Sequence, residues 1–192
     1  MKRAILTLFL AYPAWIATAA TAKPPAELAP FVEPSTRLAS FDAADMNGDG
    51  TQDYVVVLQR DDEDGTRPLL IIGREKSGAL RLLKRNDRIV GCESCGGMMG
   101  DPFQELVVKN KGFSVSNAGG SRLRWTNSFE FKYSRRDRTW QLVRAEEDTF
   151  DAPDPDTTWK SKVYLPPRDF GKIDIADFDP AHYLKTSRQQ TR

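Results

Sequence analysis

The apolar residues of this chain come in runs too short for helices and too closely spaced for crossovers, and that spacing restricts the fold more than any other feature. The runs at 54–58, 68–72, 80–83, 106–108, 113–115, 123–133 and 140–143 are rich in β-branched and aromatic residues, which is the signature of strands. Between neighbouring runs stand Asp64-Gly65, Lys76-Ser77-Gly78, Asn110-Lys111-Gly112 and Arg135-Arg136-Asp137-Arg138, all turn-forming. Parallel strands need connections of a dozen or more residues. The expectation is therefore a mainly β fold, an antiparallel meander.

Two runs carry more detail. In 123–133, Leu123, Trp125, Phe129, Phe131 and Tyr133 share one parity, and Arg122, Arg124, Thr126, Ser128, Glu130 and Lys132 take the other, so one face is expected in the core and one in water. Val55, Val56, Val57 and Leu58 are apolar on both parities, which predicts a central strand covered on both faces. The prolines of 23–36 predict an extended leader unable to sustain a helix. A single domain then spans 37–185, with a rigid Asp-Pro loop at 151–156, an edge strand at 159–165 and a short helix around 175–184 limited by Pro180. The terminal 186–192 lacks apolar residues and reads as a flexible tail.

The first residues read as an export signal: Lys2 and Arg3 precede an apolar run over 4–16, and small residues end at Ala20-Thr21-Ala22. Cleavage after Ala22 is expected. The run is shorter than the about 20 residues a membrane span needs and contains Pro13, so no stable membrane insertion of the mature chain is expected, and the location is periplasmic or secreted. No cysteine stands at the cleavage point to carry a lipid anchor. Of 192 residues, removal of the first 22 leaves enough for one core. Without Lys2 and Arg3, the 28 basic residues fall to 26 against 27 acidic ones, so the overall field calls for no nucleic acid. Cys92 and Cys95 are the two cysteines, and an oxidising compartment makes a disulfide between them the default. Such a small ring shapes a turn more than it stabilises a fold.

The segment Asp45-Met46-Asn47-Gly48-Asp49-Gly50-Thr51-Gln52-Asp53 carries the most specific chemistry. Oxygen-bearing side chains fall at its first, third, fifth and ninth places (Asp45, Asn47, Asp49, Asp53), and Gly50 at the sixth allows the backbone to curl. This is the ligand spacing of a loop for Ca2+, with Thr51 contributing its carbonyl oxygen. Val56 stands at the twelfth place, where an EF-hand has a bidentate Glu, and Tyr54-Val55-Val56-Val57 is strand-like rather than helical. A plain Gly- and Asp-rich turn is the competing reading, but acceptors at this spacing repel one another without a cation. The expected role of the ion is structural.

Other motifs are weaker. Cys92-Glu93-Ser94-Cys95 has redox-motif spacing, yet Gly96-Gly97 is a poor helix start, which favours a structural bridge. One CxxC with the single remote His182 makes zinc weaker still. A lone histidine also argues against hydrolases built on a His base, and the acidic run Glu146-Glu147-Asp148 reads as a solvated loop. The basic residues among 121–144 read as a wet strand face, or as a docking surface for an acidic protein. Met98 and Met99 are adaptable contacts if exposed and core filling if buried.

The order Phe41-Asp42, then Asp45 to Asp53, then Tyr54 to Leu58 resembles the calcium loop of the FG-GAP or VCBS repeats of extracellular β-propellers. One copy implies an incomplete β-propeller, since a full one needs typically at least four blades. Blocks 41–85 and 103–146 have similar length, but the first alone has the loop. The sequence of this loop, RPLLIIG, CxxCGG, GDPF and GGS-x-x-RW is similar to small exported proteobacterial proteins. Among these are periplasmic immunity proteins that inhibit lysozyme-like effectors of the type IV secretion system. That resemblance implies a protein partner met by a protruding loop, placed here on Gly119, Gly120, Ser121 and Arg122. The expected function is thus a noncatalytic calcium-binding protein that binds a peptidoglycan-cleaving, lysozyme-like enzyme. An envelope- or glycan-binding module without inhibitory role, and a carboxylate-dependent hydrolase, are the alternatives.

Overall fold

The structure, a computed structural model, describes residues 24–62 and 65–184. The expected signal peptide and the tail at 186–192 lie outside the described residues. Among the described residues nine strands form two antiparallel sheets. The first takes β1 (Thr36–Ala44), β2 (Asp53–Arg60), β3 (Arg67–Arg74) and β4 (Leu80–Val90) in sequence order. The second takes β5 (Phe103–Lys109), β6 (Gly112–Gly120), β7 (Leu123–Ser134), β8 (Thr139–Asp151) and β9 (Lys160–Tyr164), again in order. This is the antiparallel meander that the short connections dictate.

The main core lies between the sheets. Val55, Val57, Leu69 and Ile71 from the first sheet meet Phe113, Val115, Phe129, Phe131, Trp140 and Leu142 from the second. The segment after β9 closes this core by delivering Phe170, Ile173, Ile175, Phe178 and Tyr183, with Phe178 edge-on to both Phe129 and Phe131 at centroid distances of 4.8 and 5.3 Å. Asn86 ties the segment down, its amide donating to the carbonyls of Ile175 and Phe178 at 2.6 and 2.7 Å. The opposite parity of β2 (Tyr54, Val56, Leu58) faces a second cluster containing Leu70, Ile72 and Leu28, so β2 is covered on both faces as its composition requires.

Three local features differ from the sequence reading. Residues Ala26–Phe31 form a 3-10 turn rather than extended chain. Leu28 is 1% exposed on the second cluster, and Glu27 holds Arg74 and the Tyr54 hydroxyl. A short 3-10 segment tolerates the missing amide hydrogens of Pro25 and Pro30 when burial compensates. The short helix is α1 (Pro155–Thr158), which starts at the end of the segment 151–156 read as a loop, whereas residues 175–182 run through turns before helical backbone at Tyr183 and Leu184. Leu123, whose parity predicts core, is 65% exposed, because the first third of β7 overhangs the core. The edge strand expected near 159–165 is present as β9, paired with β8 alone.

Candidate functional sites

The nine-residue loop joins β1 to β2. Gly48 and Gly50 adopt φ of +78° and +89°, which lets the backbone amides point inward. Asp45 accepts from the amides of Gly48 and Asp49 through Oδ1 (2.7 and 3.1 Å) and of Gly50 through Oδ2 (3.1 Å). Asn47 accepts from Asp49 at 2.8 Å, and Asp49 from the Thr51 amide at 2.8 Å. The Thr51 hydroxyl also donates to Asp49, and that bond holds the Asp49 carboxyl below its usual range.

Asp53 closes the loop from the other side. It is 0% exposed and accepts from the Met46 amide through Oδ2 and the Arg74 amide through Oδ1, each at 3.1 Å. Burial raises its carboxyl above the ordinary range, and the charges of Asp49 and Asp45 raise it further. The loop therefore brings Asp45, Asn47, Asp49, Thr51 and Asp53 around one curled backbone. It does not gather three carboxylates into a metal-ligand group among the described residues, since their oxygens face backbone amides. A carboxylate offers about four acceptor positions, so Asp53, with two amide donors, retains capacity for a cation. Residues missed by sequence reasoning anchor the loop: Met46 is fully buried, and its carbonyl accepts from the Trp140 indole at 3.1 Å.

The second candidate surface lies at the turn between β6 and β7. Gly119 is buried and Gly120 has φ of +106°; a Cβ on Gly119 would stand 2.5 Å from the Trp125 ring. Ser121 and Arg122 are exposed at the tip. Arg122 donates from Nε and Nη2 to the Asp151 carboxylate at 3.0 and 2.9 Å, and this pairing lowers the Asp151 carboxyl. The guanidinium is thereby aimed rather than loose. A shallow cleft of about 640 Å³ beside it is lined by Leu123, Phe150, Thr158 and Lys160.

The cysteine turn buttresses this tip. Cys92 and Cys95 are bridged, with Cys92 buried and Cys95 exposed. The Gly120 amide donates to the Gly96 carbonyl at 2.9 Å and the Ala118 amide to Pro102 at 2.8 Å. Asp101 in the same loop is clasped by both terminal nitrogens of Arg67 at 2.7 and 2.8 Å, and Arg67 is 1% exposed. Met98 and Met99 are 86% and 43% exposed on this buttress, Leu123 follows the tip, and Trp159, 50% exposed, stacks on Phe150 at 4.7 Å. The methionines are thus exposed rather than core filling.

The acidic run Glu146-Glu147-Asp148 sits in β8, not in a loop. Glu146 pairs with Arg144, Glu147 accepts from the Tyr183 hydroxyl, and Asp148 accepts from the Thr126 hydroxyl. Each of the three thus holds a neighbouring side chain, and the Asp148 Oδ1 is buried without a hydrogen-bond partner among the described residues. Among the described residues no helix is long and apolar enough to cross a membrane. No protein-family model matches this chain, and no curated protein or solved structure is similar to it.

Proposed function

We propose that this chain is a noncatalytic, calcium-stabilised binding module of the bacterial periplasm whose β6–β7 end engages a protein partner. The observation that carries the reading is the exposure of large apolar side chains at this end: Leu123 beside the Arg122 tip, Trp159 stacked on Phe150 of the adjoining strand, and Met98 and Met99 on the loop whose Gly96 carbonyl holds the Gly120 amide. Large apolar side chains left in water on one rim cost solubility, and a protein retains such a patch where a partner covers it. An apolar rim about an arginine also has the composition of an interface hot spot. The resemblance of the ordered motifs to periplasmic immunity proteins supports a peptidoglycan-cleaving, lysozyme-like enzyme as the partner. The calcium reading rests on Asp53, a buried carboxylate whose charged neighbours Asp45 and Asp49 repel it; a divalent ion among them would offset most of that mutual repulsion.

The test is peptidoglycan turnover by purified lysozyme-like enzymes with and without this protein, repeated with Leu123→Ser and Met98→Ser. Inhibition that weakens at least tenfold in both variants supports the assignment. Binding of muropeptides without inhibition would transfer it to a glycan-binding module. Turnover by the protein itself, lost with one carboxylate substitution, would make it a hydrolase.

A further inference from the structure

We propose that the opposite end of the second sheet, formed by the β5–β6 and β7–β8 turns, is a docking surface for the phosphate headgroups of an anionic lipid membrane. In an antiparallel meander these two turns must lie at the same end, and here they touch: the Tyr133 amide donates to the Lys111 carbonyl at 2.7 Å. They bring together Lys109, Lys111, Arg135, Arg136 and Arg138, all exposed and none in an ion pair among the described residues. Of the neighbouring acids, Asp137 is engaged by Lys172 and Glu130 by Lys132, while the loop of Asp45 and Asp49 borders the patch on one side, the Lys111 amide donating to the Asp45 carbonyl at 3.0 Å and Gly48 lying against the Lys111 and Arg135 side chains.

Backbone conformation adds an independent observation. Lys111 and Arg138 occupy the left-handed region, with φ of +64° and +51°, where Gly or Asn is the comfortable residue of a tight turn. Long cations held at such positions in both turns point to a use for their side chains. A membrane is favoured over a protein because the turns include none of the exposed large apolar residues, and a protein interface needs an apolar centre. A layer of anionic headgroups needs charge alone.

The surface is separate from the Arg122 tip. The 12 residues of β7 at about 3.3 Å each place the two ends roughly 35 Å apart, so docking would leave the tip facing away from the lipid.

The experiment is co-sedimentation of the mature chain with vesicles of phosphatidylglycerol and phosphatidylcholine in equal parts, without divalent ions, against vesicles of phosphatidylcholine alone. Binding is expected to the anionic vesicles, to be absent from the neutral ones and to disappear at high salt. The double variant Lys111→Asn, Arg138→Asn relieves both left-handed positions, so its unfolding midpoint should be unchanged or raised. Its vesicle affinity is expected to fall by about 25-fold, from roughly fivefold for each of the two basic residues removed. Arg122→Gln, at the far end, should bind as the parent does. Equal binding to neutral vesicles, no loss in the double variant, or retention by an acidic protein or a nucleic-acid duplex with none on the vesicles would overturn the proposal.

Discussion

The indole of Trp140 donates a hydrogen bond to the carbonyl of Met46 across the sheet interface, at 3.1 Å, with both residues buried. The second residue of the candidate calcium loop is therefore part of the main core. Replacing Trp140 with Phe keeps most of the apolar volume but leaves a buried carbonyl without its donor. A loss of about 1–3 kcal/mol is expected, read from the denaturant midpoint. The same variant should show a smaller response to calcium than the parent.

Asp53 gives a pH signature. Its folded carboxyl is raised by burial, then by Asp49 and Asp45, so between the ordinary Asp range and that raised value the folded state binds more protons than the unfolded one. Stability from this group must then fall as pH rises through that window. In chelator, Asp53→Asn should flatten this contribution, which appears as a difference between the two pH profiles. Calcium should reverse the slope for the parent, because the ion competes with the proton.

Arg67 and Asp101 make a second test. Arg67 is buried and its Nε lacks a partner, while the Asp101 side chain is 45% exposed. Asp101→Ala leaves the guanidinium without its carboxylate and should cost about 2–3 kcal/mol. Combining it with Arg67→Met should recover much of that loss. Urea unfolding of the two single variants and the double variant measures the coupling.

The leader is expected to be part of the folded unit. Leu28→Ala removes a side chain that is 1% exposed on the second core cluster, and a loss of about 2–4 kcal/mol is expected. Thermal melting checks it. A leader that served only as a tether would leave the melting point where it was.

Reduction of the Cys92–Cys95 bridge should act locally. The ring spans a sequence separation of 3, so its chain-entropy contribution is below about 2 kcal/mol. Gly96, just beyond it, accepts from Gly120, so loss of the bridge should weaken partner binding at the Arg122 tip more than it lowers the melting point. Parallel binding and melting curves of the Cys92→Ser, Cys95→Ser variant separate the two effects.

The strands legible in the sequence were those whose apolar residues are consecutive or strictly alternating, as in β2, β3 and β7. β1 was not legible as a strand because Thr36–Ala44 mixes exposed and half-buried positions, and its apolar content is confined to Leu38, Phe41 and alanines. The second half of β4 was hidden by Lys84, Arg85, Asn86, Asp87 and Arg88, whose places in the ladder are decided by tertiary partners such as Asp174 and Glu33. The loop residues could be found by their spacing, but the core contacts of Met46 and Trp140 could not, since 94 positions separate them. The turn after Gly120 was legible through its glycines, although Gly119 and Gly120 end β6 rather than forming a free loop; its buttress by Gly96 and Arg67 needed the long-range fold.

The most direct measurement is calorimetric titration of the metal-free protein with calcium, beside the Asp49→Ala variant. One ion per chain is expected, with affinity roughly in the 10⁻⁴–10⁻³ M class of extracellular modules, and with a melting point that rises on binding. The variant should show neither heat nor shift. A parent protein that takes up no calcium and melts identically in calcium and chelator would contradict the account.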